Sequence, residues 1–515
     1  MQGSKKVIYN TGIIYAKTIF TILISLYSTR LVINALGAKD FGLFNVIGGL
    51  ISMLSFLNAA MTVSTQRYLS YNTGNGDLLK IKKIFANSVI LHFFIAFLLV
   101  IFFETIGLYF LNYQLKVDLD RLYVANIVFH CVVISTFVLI ISVPYDAVIN
   151  AHENMTFLAI VGIVECLLKL FIAIYLLVTT EDKLLVYGVL TVLSAIFIRV
   201  LKQIYVKRNY IESHVNFTVE YNKTLLKELS SFAGWNLFGS FSHIARNQGL
   251  SVLLNLFYST IVNAAFGIAN QVAGQLNFFS SAMLTALNPQ IMKSEGAKDR
   301  QQMLHLSMMA CKIGFLLLAF IAIPCIAEME SIIKFWLKIV PEYTVPFCSI
   351  ILIAVMINQL TVGLDSAIQA TGHIRNYMIF AGCLKLLILP ISYFLLTYKF
   401  NIYLVFVIYG ALEGIGGIIR LFVLQREADL SLKKYMKEVL VPILPVTILI
   451  IVLNMLLISF WHINNRWLFS IPISITSFIT FSYFTSFSHI ERDLVKIQFK
   501  RIKNKLVGKV IIKLQ

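Results

Sequence analysis

Residues 28–70 of this chain read STRLVINALGAKDFGLFNVIGGLISMLSFLNAAMTVSTQRYLS, and much of this pattern returns in the second half of the sequence. Sliding the chain by 222 positions superposes identical residues, namely Phe44 on Phe266, Leu54 on Leu276, Phe56 on Phe278, Ala60 on Ala282, Met61 on Met283, Gly74 on Gly296 and Asp77 on Asp299. A slide of 219 places Asp146 on Asp365, and after a three-residue gap Lys169 falls on Lys385. The sequence therefore predicts one helical unit that is present twice.

The composition places both copies in a membrane. Hydrophobic residues make up 58% of the chain and charged residues 13%, whereas soluble domains are about half apolar and about a quarter charged. The mean hydropathy is +0.82. Because a spanning helix needs about 20 apolar residues, the chain is predicted to be an all-α polytopic membrane protein with about fourteen spans. Six spans form each repeat, so the repeats enter the membrane in the same direction, as parallel repeats do. An extra pair of helices follows them.

The predicted organisation has five parts. Residues 1–205 form an N-lobe with spans one to six, 206–225 a linker, 226–424 a C-lobe with spans seven to twelve, 425–487 the appended pair and 488–515 a basic tail. Lysine and arginine collect in alternate joints, which places both termini in the cytoplasm by the positive-inside rule. The net charge of +18 is therefore expected to face membrane lipids, and no nucleic acid partner is predicted.

Charged residues inside the spans are the main functional signal. Each costs about 2.5 to 3.5 kcal/mol at the centre of a span, so they are expected to form pairs or to face a wet cavity. They are Lys17, Arg30, Glu104, Asp146, Glu165, Lys169, Arg246, Lys312, Asp365, Lys385 and Glu413. The spacing of Glu165 and Lys169 predicts an ion pair within one helix. Lys385 has Ala381 where this acid would be, which suggests that the lysine meets another helix or a substrate anion.

Polar residues concentrate in spans seven and eight, where they predict the wall of a hydrated cavity; hydrogen bonds between packed helices are the alternative for any single residue. These residues are Asn236, Ser240, His243, Arg246, Asn247, Gln248, Asn263, Asn270, Gln271, Gln275 and Asn277. A cavity richer in cations than in anions favours a substrate that carries phosphate or acidic sugar. The candidates for substrate binding are Lys17, Arg30, Lys169, Arg246 and Lys385. Those for ion coupling are Asp146, Glu165, Asp365 and Glu413.

The sequence contains no motif for catalysis or cofactor binding. The six cysteines lie in apolar segments without a CxxC spacing, as expected of small core residues. The chain has no P-loop, HExxH or nucleophile elbow. The sequence therefore predicts a transporter rather than an enzyme, with no catalytic residue, no metal and no cofactor.

Three segments carry a resemblance to a known family. Residues 28–70, PYDAVINAHENM at 144–155 and LKELSSFAGWNLFGS at 226–240 resemble bacterial polysaccharide (O-antigen) flippases of the multidrug/oligosaccharidyl-lipid/polysaccharide (MOP) exporter superfamily. The resemblance implies two MATE-like lobes that open alternately to either side of the bacterial inner membrane. It also implies an undecaprenyl-diphosphate-linked oligosaccharide as cargo for O-antigen, capsule or exopolysaccharide synthesis, H⁺ or Na⁺ as coupling ion, and a polysaccharide polymerase and a chain-length regulator as partners.

Three alternatives stay open at this point. An ion-coupled multidrug exporter of the same superfamily would have an acidic cavity. A membrane polymerase or ligase would carry a long outer loop with catalytic groups. A channel would lack two lobes enclosing an ionic cavity.

Overall fold

The computed structural model describes residues 2–52, 55–115, 117–258, 260–337, 340–461, 465–488 and 491–492. Every regular element in these ranges is a helix, which confirms the all-α prediction. The predicted basic tail lies outside the described residues after position 492.

The N-lobe contains the first seven helices. They are α1 (Gln2–Ser52), α2 (Ser55–Asn75), α3 (Leu78–Phe102), α4 (Leu108–Tyr113), α5 (Leu119–Ala151), α6 (Met155–Val178) and α7 (Lys183–Asn209). A π-helical turn, Phe103–Gly107, joins α3 to α4. The first span and the start of the second are merged in α1, where Gly37 takes φ 76° and ψ 167°. Glycine adopts this backbone conformation without a steric penalty, so Gly37 marks the turn between the two spans.

A short linker precedes the C-lobe. It holds a 3₁₀ turn, Ile211–Ser213, and α8 (Phe217–Glu220). The C-lobe and the appended pair comprise α9 (Lys223–Phe257), α10 (Thr260–Gly296), α11 (Arg300–Ala327), α12 (Met329–Leu337), α13 (Thr344–Gln359), α14 (Val362–Thr371), α15 (Arg375–Thr397), α16 (Tyr403–Ala428), α17 (Leu432–Tyr435), α18 (Val441–Phe460) and α19 (Trp467–Thr485). The π-helical segment Met436–Leu440 joins α17 to α18.

Ten described helices are long and apolar enough to cross a membrane, or eleven if the pair α13 and α14, bent by 41°, counts as one span. The long helices outside this set, α2, α9 and α10, are more polar. They pack against one another where the two lobes meet. Polar side chains there avoid contact with lipid, which explains why these spans tolerate them.

The repeat seen in the sequence extends to the joints. Asp77 caps α3 by accepting a hydrogen bond from the backbone N–H of Lys80 at 2.9 Å, and Asp299 caps α11 through the N–H of Gln302 at 3.0 Å. The preceding residues, Gly76 and Lys298, both have positive φ, at 76° and 61°. Each repeat therefore ends its second span with the same turn.

The lobes meet at the end of the bundle that carries these two joints. Gly74 of α2 lies against the backbone carbonyl of Lys293, and its repeat counterpart Gly296 lies against the carbonyl of Tyr71, so closely that a Cβ atom at either glycine would overlap the oxygen. Tyr71 and Lys293 are themselves repeat counterparts. The two helices therefore cross through a symmetric pair of glycine contacts.

An ion pair between the lobes lies beside this crossing. The Lys293 ammonium is 2.8 Å from the carboxylate of Glu153, in the joint between α5 and α6. Gln290 of α10 donates to the same carboxylate at 3.0 Å, and Asn10 of α1 donates to the Glu153 carbonyl at 3.3 Å. The inter-lobe contacts reach along α10 to Phe279, whose carbonyl accepts from the Tyr15 hydroxyl. This end of the molecule is closed.

At the opposite end of the N-lobe, Arg121 forms ion pairs with Asp40 and Asp182 and so ties α1 and α5 to the start of α7. Asp182 also accepts hydrogen bonds from the backbone N–H groups of Leu184 and Leu185. Burial opposes the charged form of Asp182, but these N–H donors and the Arg121 guanidinium hold the pKa of its carboxyl below the usual value.

The appended helices are fastened to the C-lobe. Both pack on α11. The buried Lys312 ammonium of α11 is 2.7 Å from Glu491, beyond the end of α19. At the other end, Arg466 pairs with the buried carboxylate of Glu328 at 2.7 Å, and Ser470 donates to it at 2.9 Å. Each end of the pair is thus held by an ionic contact.

Candidate functional site

The N-lobe encloses a cavity of about 520 Å³ between α1, α5, α6 and α7. Its polar lining is Ser25, Ser28, Thr29, Asn45, Ser135, Thr136, Ser142, Glu165, Lys169, Tyr187, Thr191, Ser194, Arg199 and Lys202. Most of these residues lie far from the helix ends, so the cavity reaches into the hydrophobic layer. Hydroxyl groups and charges line it together.

Two lysines in this cavity are paired. Lys169 is 2.8 Å from Glu165 on the same helix, as the spacing predicted. Lys202 of α7 is 2.8 Å from Asp146 of α5. The predicted ion carriers Asp146 and Glu165 are therefore each bound to a lysine that lines the cavity.

Arg199 supplies a cation without a matching acid. Its Nη1 donates to Gln203 at 2.8 Å, and its guanidinium lies 4.0 Å from the ring centroid of Tyr145. Its Nε is buried without a hydrogen-bond partner, and no carboxylate of the described ranges forms an ion pair with it. Around the cavity three cations thus face two carboxylates, and the surplus charge is positive.

The other two predicted N-lobe cations are placed differently. Lys17 of α1 reaches over α6, because a Cβ at Gly162 would lie 3.0 Å from its Nζ. It therefore lies one turn from Glu165. Arg30 is exposed and is not among the residues that line the cavity.

The C-lobe holds a buried ionic cluster. Arg246 of α9 forms an ion pair with Glu413 of α16, with side chains only 5% and 11% exposed. The Arg246 guanidinium also lies 4.4 Å from the ring centroid of Tyr409, and its Nη2 is 3.1 Å from Nδ1 of His243. Lys385 lies beside this pair, lining a cavity of about 20 Å³, which has room for about one water molecule.

Arg420 belongs to the same cluster and lines the same small cavity. It donates to the hydroxyl of Tyr377 at 3.0 Å, to Asn358 at 2.7 Å and to Thr361 at 3.0 Å. The predicted ion carrier Asp365 lies close to Tyr377 and Arg420. The structure thus gathers Arg246, Lys385, Asp365 and Glu413, four of the predicted site residues, inside one lobe rather than between the lobes.

A second large cavity of about 500 Å³ lies between α9, α10, α13 and α16. Its polar lining is His243, Asn247, Gln248, Ser251, Asn263, Asn270, Asn277 and Tyr409. No lysine, arginine, aspartate or glutamate of the described residues lines it. Six of the eleven polar residues named for spans seven and eight line it, namely His243, Asn247, Gln248, Asn263, Asn270 and Asn277.

These two polar-lined cavities are repeat counterparts. The slide of 222 positions places Ser25 on Asn247, Thr29 on Ser251, Phe44 on Phe266 and Tyr187 on Tyr409, each pair lining its own cavity. The same slide places Ile24 on Arg246 and Thr191 on Glu413. In the described part of the N-lobe, no ion pair therefore stands between the cavity and the charged residues of its lining. In the C-lobe, the ion pair separates the amide-lined space from Lys385 and Arg420.

Three cations of these clusters, Arg199, Lys202 and Arg420, were not predicted as site residues, because they lie towards the basic ends of their spans. The repeat contained a signal for two of them. Tyr187 and Gly188 superpose on Tyr409 and Gly410 with the slide of 222, and Arg199 falls on Arg420 with a slide of 221.

No group of three or more histidine, cysteine, aspartate or glutamate side chains in the described ranges is placed to hold a metal ion.

Comparison with known proteins identifies the architecture. No family model and no curated protein matches the sequence. Solved structures do match. MATE in the straight conformation aligns with a TM-score of 0.71 at 11% identity, over 83% of this chain and 96% of that chain. An outward-facing multidrug resistance MATE family transporter of the MOP superfamily gives 0.71 at 11% identity over the same shares.

A MOP superfamily transporter from Pyrococcus furiosus, described as having a binding pocket of reverse polarity, gives a TM-score of 0.69 at 12% identity, over 83% of this chain and 96% of that chain. At these sequence identities the similarity shows a shared fold alone. The chain is a multi-pass membrane protein with the two-lobe fold of the MATE transporters.

Proposed function

We propose that this protein is a flippase that moves undecaprenyl-diphosphate-linked oligosaccharide repeat units across the bacterial inner membrane by alternating access. The observation that carries the proposal is the cationic N-lobe cavity, in which Arg199 has no acidic partner among the described residues. In this proposal both termini lie in the cytoplasm, and the translocated repeat units serve O-antigen, capsule or exopolysaccharide assembly.

The chemistry of the cavity suits a diphosphate. Arginine presents a planar fork of donors to phosphate oxygens, and lysine adds a compact charge. Lys169, Arg199 and Lys202 line one space, and nine serine, threonine and tyrosine hydroxyls from the same lining add further donors. A charge-assisted hydrogen bond contributes about 1.5 to 3 kcal/mol. Lys17, Arg30, Arg246 and Lys385 stay predictions as further contacts.

Ion coupling follows from competition for the same lysines. A phosphate that binds Lys169 or Lys202 displaces Glu165 or Asp146, the present partners. A carboxylate left without its ammonium partner in an apolar region binds H⁺ or Na⁺ instead. Moving one such charge through about 100 mV contributes about 2.3 kcal/mol. Asp365 and Glu413 are the corresponding candidates in the C-lobe.

An ion-coupled multidrug exporter is the main rival, since one of the matched structures is a multidrug transporter. Organic cations need an acidic cavity, whereas this cavity has surplus positive charge. The reverse polarity described for the Pyrococcus furiosus protein is a precedent for such a difference within the fold. A polymerase or ligase is disfavoured because the two-lobe fold is that of transporters.

The test is flipping of undecaprenyl-diphosphate oligosaccharide in proteoliposomes. Arg199→Gln removes the surplus cation and is expected to lower the rate about 10- to 100-fold, since about 1.4 kcal/mol corresponds to a factor of ten. Arg208→Gln is the matched control, because Arg208 lies on the same helix and is exposed at its end. Equal rates for Arg199→Gln and the unaltered protein would refute the role of the cavity. Efflux of ethidium without any lipid flipping would favour the multidrug rival.

A further inference from the structure

The amide-lined C-lobe cavity has the size of a ligand site, and none of the described residues that line it is a lysine, arginine, aspartate or glutamate. Its volume of about 500 Å³ lies within the usual range of about 300 to 1,000 Å³ for small-molecule sites. Its lining comes mainly from α9 and α10, the helices that face the other lobe. A bound molecule there would lie beside the path between the lobes.

The cationic group nearest this cavity is neutralised. Arg246 is the closest, through His243 and Tyr409, which line the cavity and contact its guanidinium. Its charge is balanced by Glu413. Lys385 and Arg420 lie on the other side of the pair, where the space is about 20 Å³. A diphosphate therefore gains little in this cavity, in contrast to its repeat counterpart in the N-lobe.

The donors and acceptors that remain suit hydroxyl groups. Each Asn or Gln side chain offers an acceptor oxygen and two N–H donors, which matches groups that donate and accept at once. Asn247 Oδ1 is buried without a hydrogen-bond partner in the described part of the chain. Asn263 already accepts a hydrogen bond from the Ser251 hydroxyl at 2.7 Å, so one of these amides is bound to a hydroxyl within the protein itself. Tyr409 adds an aromatic ring at the boundary with the ion pair.

We infer that this cavity is a subsite for the uncharged sugar portion of the substrate, while the N-lobe cavity holds the diphosphate. The inference rests on the proposed function, because it divides one cargo between the two lobes. A neutral polyhydroxylated group and an anionic group are recognised by cavities of different chemistry that descend from the same repeat. The Arg246–Glu413 pair creates the difference by closing off the C-lobe charges.

The experiment compares two probes with purified full-length protein. One is the undecaprenyl-diphosphate oligosaccharide that accumulates when the gene is deleted, and the other is undecaprenyl diphosphate without sugar. The sugar is expected to tighten binding by at least tenfold. Asn247→Ala combined with Asn270→Ala removes two cavity amides and is expected to abolish this gain while the affinity for the sugar-free probe stays the same. Asn255→Ala, exposed on the same helix α9, is the matched control and keeps the gain.

The outcomes separate this inference from the proposed function. If the unaltered protein binds both probes equally, or if the double variant keeps the gain, the sugar subsite is refuted and the diphosphate site is not. If the unaltered protein binds neither probe, the proposed function fails. Arg199→Gln weakens both probes by the same factor when the division between the lobes holds. Loss of affinity for the sugar-carrying probe alone would contradict it.

Discussion

Arg246 and Glu413 form a buried ion pair at the two positions where the N-lobe repeat has Ile24 and Thr191. Removing one partner of such a pair leaves an uncompensated charge, which costs about 3 to 5 kcal/mol. We therefore expect Arg246→Ala to lower the melting temperature of the protein in detergent. The double variant Arg246→Ile, Glu413→Thr copies the N-lobe residues and is expected to recover most of that loss. If the loss of stability in the double variant equalled the sum of the losses in the two single variants, the two residues would not be coupled.

The crossing of α2 and α10 gives a second prediction. A methyl group at Gly74 or Gly296 overlaps a backbone carbonyl of the other lobe, and such overpacking costs about 1 to 3 kcal/mol. Gly74→Ala is therefore expected to shift the equilibrium away from the closed end about 5- to 150-fold. Distances between spin labels on the α2–α3 and α10–α11 joints, measured by electron paramagnetic resonance, report this shift. Gly48→Ala, with open space around it, is the control. Unchanged distances for Gly74→Ala would show that this glycine crossing does not hold the end closed.

The ion pair between Glu153 and Lys293 should act in the same direction. Glu153→Gln keeps the shape and removes the charge, at a cost of about 1.5 to 3 kcal/mol to the closed end. The same distance measurement is expected to report opening, and the charge reversal Glu153→Lys with Lys293→Glu is expected to reverse part of it. Glu330→Gln breaks an exposed pair with Lys334 outside the interface and should leave the distances unchanged. If Glu153→Gln and Glu330→Gln both opened this end, the effect would be a general one of charge and not of the pair between the lobes.

The pKa of Asp182 gives a prediction for acid conditions. Its folded-state pKa lies below the usual value, which is about 3.9 in unfolded chains. The contact therefore stabilises the folded protein above that pH, and the contribution is lost as the pH falls through the folded pKa. We expect Asp182→Asn to melt earlier than the unaltered protein at pH 7. The difference should shrink as the medium is acidified below about pH 4, and a constant difference would contradict this assignment.

Much of the architecture follows from the sequence because hydropathy and repetition are properties of the chain itself. The repeat predicted from Gly74, Asp77 and their counterparts is visible in the caps of α3 and α11, and the Glu165–Lys169 pair needed only the geometry of one helix. Contacts between residues on different helices were harder to predict from the sequence. Arg246 and Glu413 are 167 positions apart, and only the packing of α9 against its neighbours shows that they meet. The two polar cavities, each lined by residues from four helices, depend on the same packing.

The ionic contacts of Lys312 with Glu491 and of Arg466 with Glu328 make the appended helices part of the C-lobe as a mechanical unit. That unit therefore has a larger cross-section in the bilayer than its partner and meets more viscous drag. In a transport cycle the smaller lobe should perform most of the rotation relative to the surrounding lipid, while the larger one stays nearly stationary. A reference label for orientation measurements belongs on α18 or α19.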